Sequence, residues 1–232
     1  MSIQEFLDEL EKLNIKLNQD QLDKLNKYYE LLIEYNKVMN LTGITEKKDV
    51  YLKHFYDSLA ITKVISLDNQ SLCDIGTGAG FPGLVLKIVF PNLKITLVDS
   101  LQKRVNFLNI VIKELDLKDI EVVHARIEEY ALKHRSSFDI TTSRAVAHTS
   151  ILLEYAIPLT KVNGYFIPLN ANIDEELKES EKAISILNTK LIKKEIFKLP
   201  IENSTRTILV FEKTKENLHY PRKYSEIKKQ RL

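Results

Sequence analysis

The architecture follows from eleven consecutive residues, Cys73-Asp74-Ile75-Gly76-Thr77-Gly78-Ala79-Gly80-Phe81-Pro82-Gly83. An apolar run that suits a β-strand leads into glycines, and the proline after them suits the first turn of a helix. Glycines adopt positive φ angles and let the backbone approach a ligand closely, while the start of a helix presents free N–H groups. The stretch therefore predicts a strand, a ligand-binding turn and a helix.

Two cofactor classes fit this turn. Residues 78–83 match the G-x-G-x-x-G pattern of dinucleotide enzymes, and Asp99 lies at a workable distance for an acid that binds ribose. Two details favour S-adenosylmethionine. The glycines begin earlier and form a G-x-G-x-G arrangement of Gly76, Gly78 and Gly80. Asp74 precedes the turn, where it could hold the loop or the ammonium group of the methionine moiety. An NAD-dependent oxidoreductase with the same loop, or a purely structural turn, remains an alternative.

From Ser71 onward, short apolar runs alternate with amphipathic helical stretches, which is typical of a parallel sheet with crossover helices. The predicted strands are Ser71–Ile75, Lys94–Val98, Ile120–Val123, Phe138–Thr142, Tyr165–Leu169, Leu191–Phe197 and Thr207–Glu212. The predicted helices between them lie near Pro82–Val89, Lys103–Leu115, Ile151–Leu159 and Asp174–Leu187. Only a turn near Pro200–Ser204 separates the last two strands, so we expect them to form an antiparallel hairpin. This is the outline of the α/β, Rossmann-like class I methyltransferase fold, with a mostly parallel seven-stranded sheet.

Helices are expected before this sheet. Apolar residues at helical spacing predict two amphipathic helices within residues 3–33, and a third begins near Asp49 and runs to about Val64. We therefore expect residues 1–66 to form a helical extension packed on the main domain. Residues 67–214 would form the S-adenosylmethionine-binding methyltransferase domain, and residues 215–232 a basic C-terminal tail.

The charge of the chain is concentrated in that tail. The formal net charge is +2, yet residues 213–232 alone carry seven basic and two acidic residues. Such a segment either binds phosphates or remains a disordered, solubilising terminus. No apolar run approaches the roughly 18 residues of a membrane span, and the amino terminus lacks a basic region followed by an apolar core. The single Cys73 excludes an internal disulfide and a multi-cysteine metal site. We expect a cytoplasmic protein without a metal.

Three positions at strand ends are candidate ligand contacts. Asp99 ends the second strand, where its carboxylate could accept hydrogen bonds from both ribose hydroxyls or cap the next helix. The turn His124–Glu128 follows the third strand, where this fold usually holds adenine, although alone it is only a charged turn. Arg144 follows the fourth strand and would face the methyl-transfer centre, unless it is an ordinary surface residue.

Six stretches occur in a consistent order across about residues 20–223: Met39–Thr45, Tyr51–Ser58, Cys73–Gly83, Val98–Leu108, Ser143–Val146 and Tyr220–Lys223. Together they resemble the guanine-N7 methyltransferases of small-subunit (16S) ribosomal RNA, a bacterial family also called glucose-inhibited division protein B. The combination is specific, whereas the glycine turn alone is not.

The resemblance implies a site for S-adenosylmethionine. Gly76 and Phe81 would line the methyl-donor pocket, Ile127 and Glu128 would hold the adenine end, Asp99 the ribose, and Arg144 would contact the cofactor. The full set of expected cofactor contacts is Asp74, Gly76, Gly78, Gly80, Phe81, Asp99, Ile127, Glu128 and Arg144. His54 and Asp57 share a turn of a helix, and with Arg144 they are candidates for positioning the substrate.

The chemistry needs little machinery. Guanine N7 has a lone pair that is unprotonated at neutral pH and faces an accessible edge of the base. It can attack the sulfonium methyl group in line, so the demand is mainly alignment and stabilisation of charge. We therefore predict no essential general base or nucleophile. Cys73, in a strand expected to be buried, is poorly placed for the nucleophile of pyrimidine-C5 methylation.

The resemblance also implies 16S ribosomal RNA as partner, in the small ribosomal subunit or an intermediate of its assembly, and we expect a monomer. Candidate RNA contacts are Lys53, Lys103, Arg104, Arg222 and Lys223. Two departures from the family pattern bear on RNA binding. Pro168-Leu169-Asn170 stands where the family usually has Ala-Leu-Lys, and the tail reads Tyr224-Ser-Glu-Ile-Lys-Lys-Gln instead of Gly-Thr-Pro-Asn-Lys. A non-catalytic ribosome-binding protein with this fold is therefore a second alternative.

Overall fold

The fold is built on one seven-stranded sheet in a computed structural model, which describes residues 1–144, 147–170 and 173–232. The strands are β1 Ser71–Ile75, β2 Lys94–Asp99, β3 Ile120–His124, β4 Phe138–Arg144, β5 Thr160–Asn170, β6 Thr189–Lys198 and β7 Thr205–Lys213. Their order across the sheet is β3-β2-β1-β4-β5-β7-β6. Strands β1 to β5 pair in parallel, and β7 runs antiparallel between β5 and β6. The predicted α/β class and its terminal hairpin are confirmed.

Helices precede the sheet, cover its faces and end the chain. They are α1 Ile3–Glu11, α2 Gln19–Met39, α3 Lys47–Val50, α4 Asp57–Leu59, α5 Gly83–Val89, α6 Gln102–Glu114, α7 Ile127–Lys133, α8 Thr149–Leu159, α9 Asp174–Glu179, α10 Glu181–Ile186 and α11 Tyr224–Lys229. A π-helix, Tyr51–Tyr56, joins α3 to α4, and a 3-10 helix, Ala60–Lys63, follows α4. Within the described parts of the chain, none of these helices is long and apolar enough to cross a membrane.

The N-terminal helices share a hydrophobic core with the sheet domain. Asn18 caps the start of α2, where its side chain accepts a hydrogen bond from the Gln21 N–H. Asn40 caps the end of the helix with a left-handed φ of 51°. Its buried residues Leu25 and Leu32 belong to the same apolar cluster as Leu84 and Leu97 of the sheet domain. This packing brings the end of α2 and the segment after it beside the sheet.

Four elements differ from the sequence expectations. The third N-terminal helix is a series of α, π and 3-10 turns, and the expected helix Asp174–Leu187 is two short helices that meet at Ser180. Strand β5 starts five residues early, because Thr160 already pairs with Phe138 beyond an irregularity in the register. The turn predicted at His124–Glu128 is reduced to Ala125 and Arg126, because β3 extends to His124 and α7, which buries Tyr130 and Ala131, begins at Ile127. Ala145 and Val146 of the matching stretch after β4 lie outside the described residues.

The carboxyl ends of β1, β2, β3 and β4 lie along one edge of the sheet, because these strands are parallel. In an open α/β sheet, ligands bind in the crevice outside these ends. The glycine turn, Asp99 and Arg144 all follow or end these strands. Asn170, at the end of β5, lies at this edge too, opposite Thr207 of β7.

Candidate functional site

Two adjoining cavities open at this edge and share Gly76, Asp99 and Ser100. The first cavity, of about 220 Å³, is further lined by Ile75, Val98, Ala125, Arg126, Ile127, Glu128, Tyr155 and Tyr224. The second cavity, of about 420 Å³, is further lined by Leu41, Thr42, His54, Thr77, Gly78, Ala79, Phe81, Arg104 and Arg144. The structure thus places all the expected cofactor contacts except Asp74 and Gly80 on the walls of these two cavities.

The glycines of the turn have two different surroundings. Gly76, Gly78 and Gly80 have φ angles of 64°, 63° and 104°, which lie in the region that disfavours side chains. A Cβ on Gly78 would meet only the Gly76 carbonyl oxygen, 3.9 Å away. A Cβ on Gly80 would overlap Cδ1 of Leu84 and would lie 2.8 Å from the Tyr28 hydroxyl. Gly78 therefore faces open space at the cavity, whereas Gly80 allows the turn to pack on the helices behind it.

Asp74 stabilises the glycine turn through hydrogen bonds from Thr77 and Gly83. Its Oδ2 accepts hydrogen bonds from the Thr77 hydroxyl at 2.7 Å and from the Gly83 N–H at 2.9 Å. Burial raises the pKa of this carboxyl to about 6, although both hydrogen bonds act in the opposite direction. Of its two predicted roles, the observed contacts are those of loop bracing, and Oδ1 is buried without a hydrogen-bond partner among the described residues.

Asp99 lies at the junction of the two cavities and is only 3% exposed. Its Oδ2 accepts a hydrogen bond from the Gly78 N–H at 2.9 Å and lies 3.3 Å from the Arg104 guanidinium. Its Oδ1 accepts from the N–H of Leu101, the residue before α6, at 2.9 Å. The carboxylate thus links the glycine turn to the start of α6 and borders the crevice. Its position is compatible with both roles that the sequence suggests, binding of a ribose and capping of α6.

Arg144 is the centre of a buried polar cluster in the second cavity. One guanidinium nitrogen donates to the Lys53 carbonyl and the other to Nδ1 of His54, each at 3.0 Å. Asp57 Oδ2 lies 3.7 Å from Arg144, and Asp57 Oδ1 lies 3.2 Å from Nε of Arg206. The structure brings together the three residues proposed to position the substrate. Arg206, on β7, was missed by sequence analysis because no local pattern reveals a pairing over such a sequence distance.

His54 is neutral in this cluster. Because Arg144 donates to Nδ1, the ring proton must be on Nε2, which then donates to the Thr42 hydroxyl at 2.9 Å. Burial and the charge of Arg144 lower the pKa of His54 to about 3. The imidazole stacks on Phe81, with ring centroids 4.3 Å apart. The π-helix therefore connects the glycine turn, Arg144 and the segment after α2.

Three of the five candidate RNA contacts are in ion pairs. Lys53 pairs with Glu202 at 2.7 Å and Arg104 with Asp99. Arg222 pairs with the buried Glu154 of α8 at 2.7 Å. The remaining two are exposed: Nζ of Lys103 donates to the Met39 carbonyl at 2.8 Å, and Lys223 lies directly before α11.

The basic tail folds back on the domain rather than remaining a disordered terminus, since Arg222 pairs with Glu154 and Ile227 is buried.

Two tyrosines of the first cavity were also missed by sequence analysis. Tyr155 follows Glu154 on α8, and Tyr224 begins α11, where the chain departs from the family pattern directly after the matching stretch Tyr220–Lys223. Cys73 is buried in β1, as the sequence predicts, and burial raises the pKa of its thiol. Among the residues that the structure describes, no three His, Cys, Asp or Glu side chains cluster so as to hold a metal ion.

Comparisons with known proteins show which family the chain resembles. The model of the rRNA small subunit methyltransferase G family matches residues 21–205. A ribosomal RNA small subunit methyltransferase G of Lysinibacillus sphaericus is 45% identical over 228 residues, covering 96% of each chain. Its counterpart from Ligilactobacillus salivarius is 48% identical over 231 residues, again covering 96% of each chain.

Solved structures share the fold at low sequence identity. A SAM-dependent methyltransferase from Aquifex aeolicus matches with a TM-score of 0.55 and 16% identity, covering 72% of this chain and 93% of that one. TYW2 from M. jannaschii, solved in complex with AdoMet, matches with a TM-score of 0.57 and 16% identity, covering 74% of this chain and 79% of that one. These similarities place the sheet and its helices in the class I methyltransferase fold.

Proposed function

The chain belongs to the rRNA small subunit methyltransferase G family, and from this membership we propose that it methylates N7 of a guanine in 16S ribosomal RNA by direct in-line transfer. It is an S-adenosylmethionine-dependent methyltransferase, and the dinucleotide-dependent oxidoreductase is set aside. The observation that carries the proposal is the identity of 45% and 48% to the two relatives over 96% of the chain.

The residues of the first cavity fit the nucleoside end of S-adenosylmethionine. Ile75, Val98 and Ile127 offer apolar surface for a planar base, and Glu128 offers a carboxylate that can accept from an exocyclic amino group. Asp99 stands at the junction, where a ribose would lie between the two cavities. The open backbone at Gly78 leaves room for the ligand to approach the turn.

The residues of the second cavity would align the two reactants. S-adenosylmethionine supplies an electrophilic methyl group on a sulfonium centre. Phe81 and His54 form a stacked apolar wall, and Arg144 adds a fixed positive charge that is held by Lys53, His54 and Asp57. We propose that this wall orients the guanine and excludes water, and that no side chain needs to take a proton from N7. Phe81 and Arg144 would also contact the cofactor.

The substrate is proposed to be the small ribosomal subunit or an intermediate in its assembly, methylated in the cytoplasm by a monomeric enzyme. Residues 1–66 would then supply one wall of the guanine site, since Leu41, Thr42 and His54 line the second cavity. Residues 67–214 would hold the cofactor, and residues 215–232 would form the basic C-terminal tail, which docks on that domain through Arg222 and Glu154.

Two measurements test the proposal. Calorimetry should show binding of adenosylhomocysteine and none of NAD. Incubation with labelled S-adenosylmethionine should then transfer label to small subunits taken from cells that lack the protein, with 7-methylguanine as the labelled base. Binding of adenosylhomocysteine and of small subunits without any transfer would instead support the non-catalytic alternative, which the replacement of the family lysine by Asn170 motivates.

A further inference from the structure

Tyr224 and Arg126 form a stacked pair at the rim of the first cavity. The guanidinium carbon of Arg126 lies 3.9 Å from the centre of the Tyr224 ring, and Nε of Arg126 donates to Glu128 Oε1 at 2.8 Å. Both side chains line the cavity, and Tyr224 is 43% exposed. An aromatic ring left partly uncovered beside a cavity offers a surface on which a planar base can pack.

The segment that carries Tyr224 is anchored by a buried ion pair. Arg222 Nε donates to Glu154 Oε1 at 2.8 Å, its terminal nitrogen donates to Oε2 at 2.7 Å, and its backbone N–H donates to Oε1 at 2.9 Å. The Glu154 side chain is 1% exposed, and Ile227 of α11 is equally buried. Such a bidentate pair fixes geometry as well as charge. Arg222 therefore acts as an anchor, two residues before the tyrosine.

The anchor and the cavity wall belong to the same part of α8. Glu154, which holds Arg222, is followed by Tyr155, which lines the first cavity. The tail therefore binds to α8 at the residue before Tyr155, and both Tyr155 of α8 and Tyr224 of the tail line the first cavity. The tail sequence from Tyr224 onward is also where this chain departs from the family pattern.

We propose that residues 220–230, here called the C-terminal clasp, form the outer wall of the adenosine subsite and that Tyr224 contacts the nucleoside of the bound cofactor. This rests on the proposed function of the first cavity and adds a binding residue to it. Arg222 and Glu154 act through Tyr224 as positioning residues. The ligand chemistry recognised by the clasp is an adenine nucleoside, not the methionine moiety or RNA.

A single fluorescent reporter tests the contact, because the chain contains no tryptophan. In the Tyr224→Trp variant, adenosylhomocysteine should change the tryptophan emission saturably, with a midpoint that matches the calorimetric Kd. The control is Leu218→Trp, since Leu218 is 71% exposed and is not among the residues that line the two cavities. Its emission should not respond. If the Tyr224→Trp variant binds the ligand by calorimetry and its emission stays unchanged, the inference is overturned.

Substitution then tests the energetic contribution. Since base–aromatic stacking is lost on truncation, Tyr224→Ala should weaken binding of adenosylhomocysteine by about five- to fiftyfold, while Tyr224→Phe should stay within about twofold. Free adenosine should lose affinity by the same factor. Arg222→Gln should raise the KM for S-adenosylmethionine and leave kcat at saturation unchanged. Lys215→Ala, at an exposed position of the tail outside the clasp, is the control.

The outcomes separate the two proposals. If the unmodified protein binds no adenosylhomocysteine, the proposed function fails and the clasp fails with it. If it binds and Tyr224→Ala binds equally well, only the clasp is wrong. Circular dichroism and thermal unfolding of each variant show that a loss of binding does not come from loss of the fold.

Discussion

Asp99 has a structural role and, in the proposed site, a binding role that would use the same two oxygens. Its carboxylate accepts N–H groups from Gly78 and Leu101 while it borders both cavities. A carboxylate oxygen can accept more than one hydrogen bond, so a ribose hydroxyl can be added without release of either backbone group. An asparagine has the same shape but only one acceptor oxygen, so it would lose at least one of the hydrogen bonds from the backbone N–H groups or from the ribose.

Asp99→Asn should therefore weaken binding of adenosylhomocysteine by at least about tenfold, because the amide cannot accept on both sides and lacks the charge. Calorimetry on the purified variant measures this. Asp116→Asn is the matched control, because Asp116 is exposed on the loop between α6 and β3. Wild-type affinity in Asp99→Asn would show that the carboxylate serves only to cap α6.

His54 gives the fold a dependence on pH that sequence alone does not suggest. The folded protein holds the imidazole neutral down to a pKa of about 3, whereas the unfolded chain takes up a proton near the usual value of about 6.5. Between these two values the unfolded state binds more protons. The stability that His54 contributes is therefore fully present above about pH 6.5 and is lost as the pH falls towards 3.

His54→Gln should remove this loss, because its amide can accept from Arg144 and donate to Thr42 without titrating. Below about pH 6, the free energy of unfolding of the wild type should fall with pH more steeply than that of the variant, by up to about 1.4 kcal/mol per pH unit. Urea unfolding from about pH 4.5 to 7 measures both slopes. Asp74, whose pKa is raised to about 6, stabilises the fold as pH falls from about 6 to about 4, but it does so in both proteins.

The control for this experiment is His219→Gln, since His219 is exposed. Its slope should equal that of the wild type. Equal slopes for all three proteins would mean that the folded and unfolded states take up the His54 proton at the same pH, and the assigned hydrogen bond from Arg144 to Nδ1 would then be wrong.

Among the structural elements, the glycine turn separates a cavity-lining position, Gly78, from a packing position, Gly80, within three residues. Gly78→Ala adds a methyl group towards open space at the second cavity, so stability should fall by only about 1–2 kcal/mol, the penalty for a left-handed backbone. Gly80→Ala adds the same penalty and also forces Leu84 and Tyr28 apart, so the total should be about 3 kcal/mol or more.

Urea unfolding and calorimetry together distinguish the two variants. Gly78→Ala should fold and bind adenosylhomocysteine at least about tenfold more weakly, because its methyl group occupies the cavity wall. Gly80→Ala should lose stability first, with ligand affinity reduced only to the extent that the protein unfolds. The reverse pattern would contradict the placement of the cavity along Gly78.

Elements with local periodicity were predictable, and those set by distant contacts were not. The alternation of apolar runs and helical stretches was sufficient for all seven strands and the hairpin, because each strand carries its own pattern. The break at Ser180 and the early start of β5 depend on neighbouring strands and helices. The same distinction holds in the site. The strand-end residues Asp99 and Arg144 could be placed from the sequence, whereas Arg206 and Tyr224 come from segments without a motif.

At the scale of the whole molecule, ion pairs among the described residues limit the positive charge that the edge around the second cavity offers to RNA. Around the second cavity, Lys53 pairs with Glu202, Arg104 with Asp99, and Arg144 and Arg206 both face Asp57. Lys53 and Arg104 are candidate RNA contacts on sequence grounds, but the sequence does not reveal their acidic partners. Because the described cations at this edge are compensated, we propose that the shape of a folded site contributes more to RNA recognition than net charge does.

This pairing predicts a shallow dependence on salt. Each phosphate that the protein neutralises contributes about −0.7 to −0.9 to the slope of log affinity against log salt concentration. Because the described cations around the second cavity are in ion pairs, few of them are available to neutralise phosphates. For binding to small subunits between about 50 and 200 mM KCl, we expect a slope no steeper than about −3.

Lys103→Gln should reduce the magnitude of this slope by about 1. Lys103 is exposed beside the site, and its ammonium group donates to a backbone carbonyl rather than to a carboxylate. Lys118→Gln, whose lysine pairs with Asp116 before β3, should leave the slope unchanged. A slope steeper than about −6 would mean that the ion pairs open on binding and that charge, rather than shape, selects the RNA.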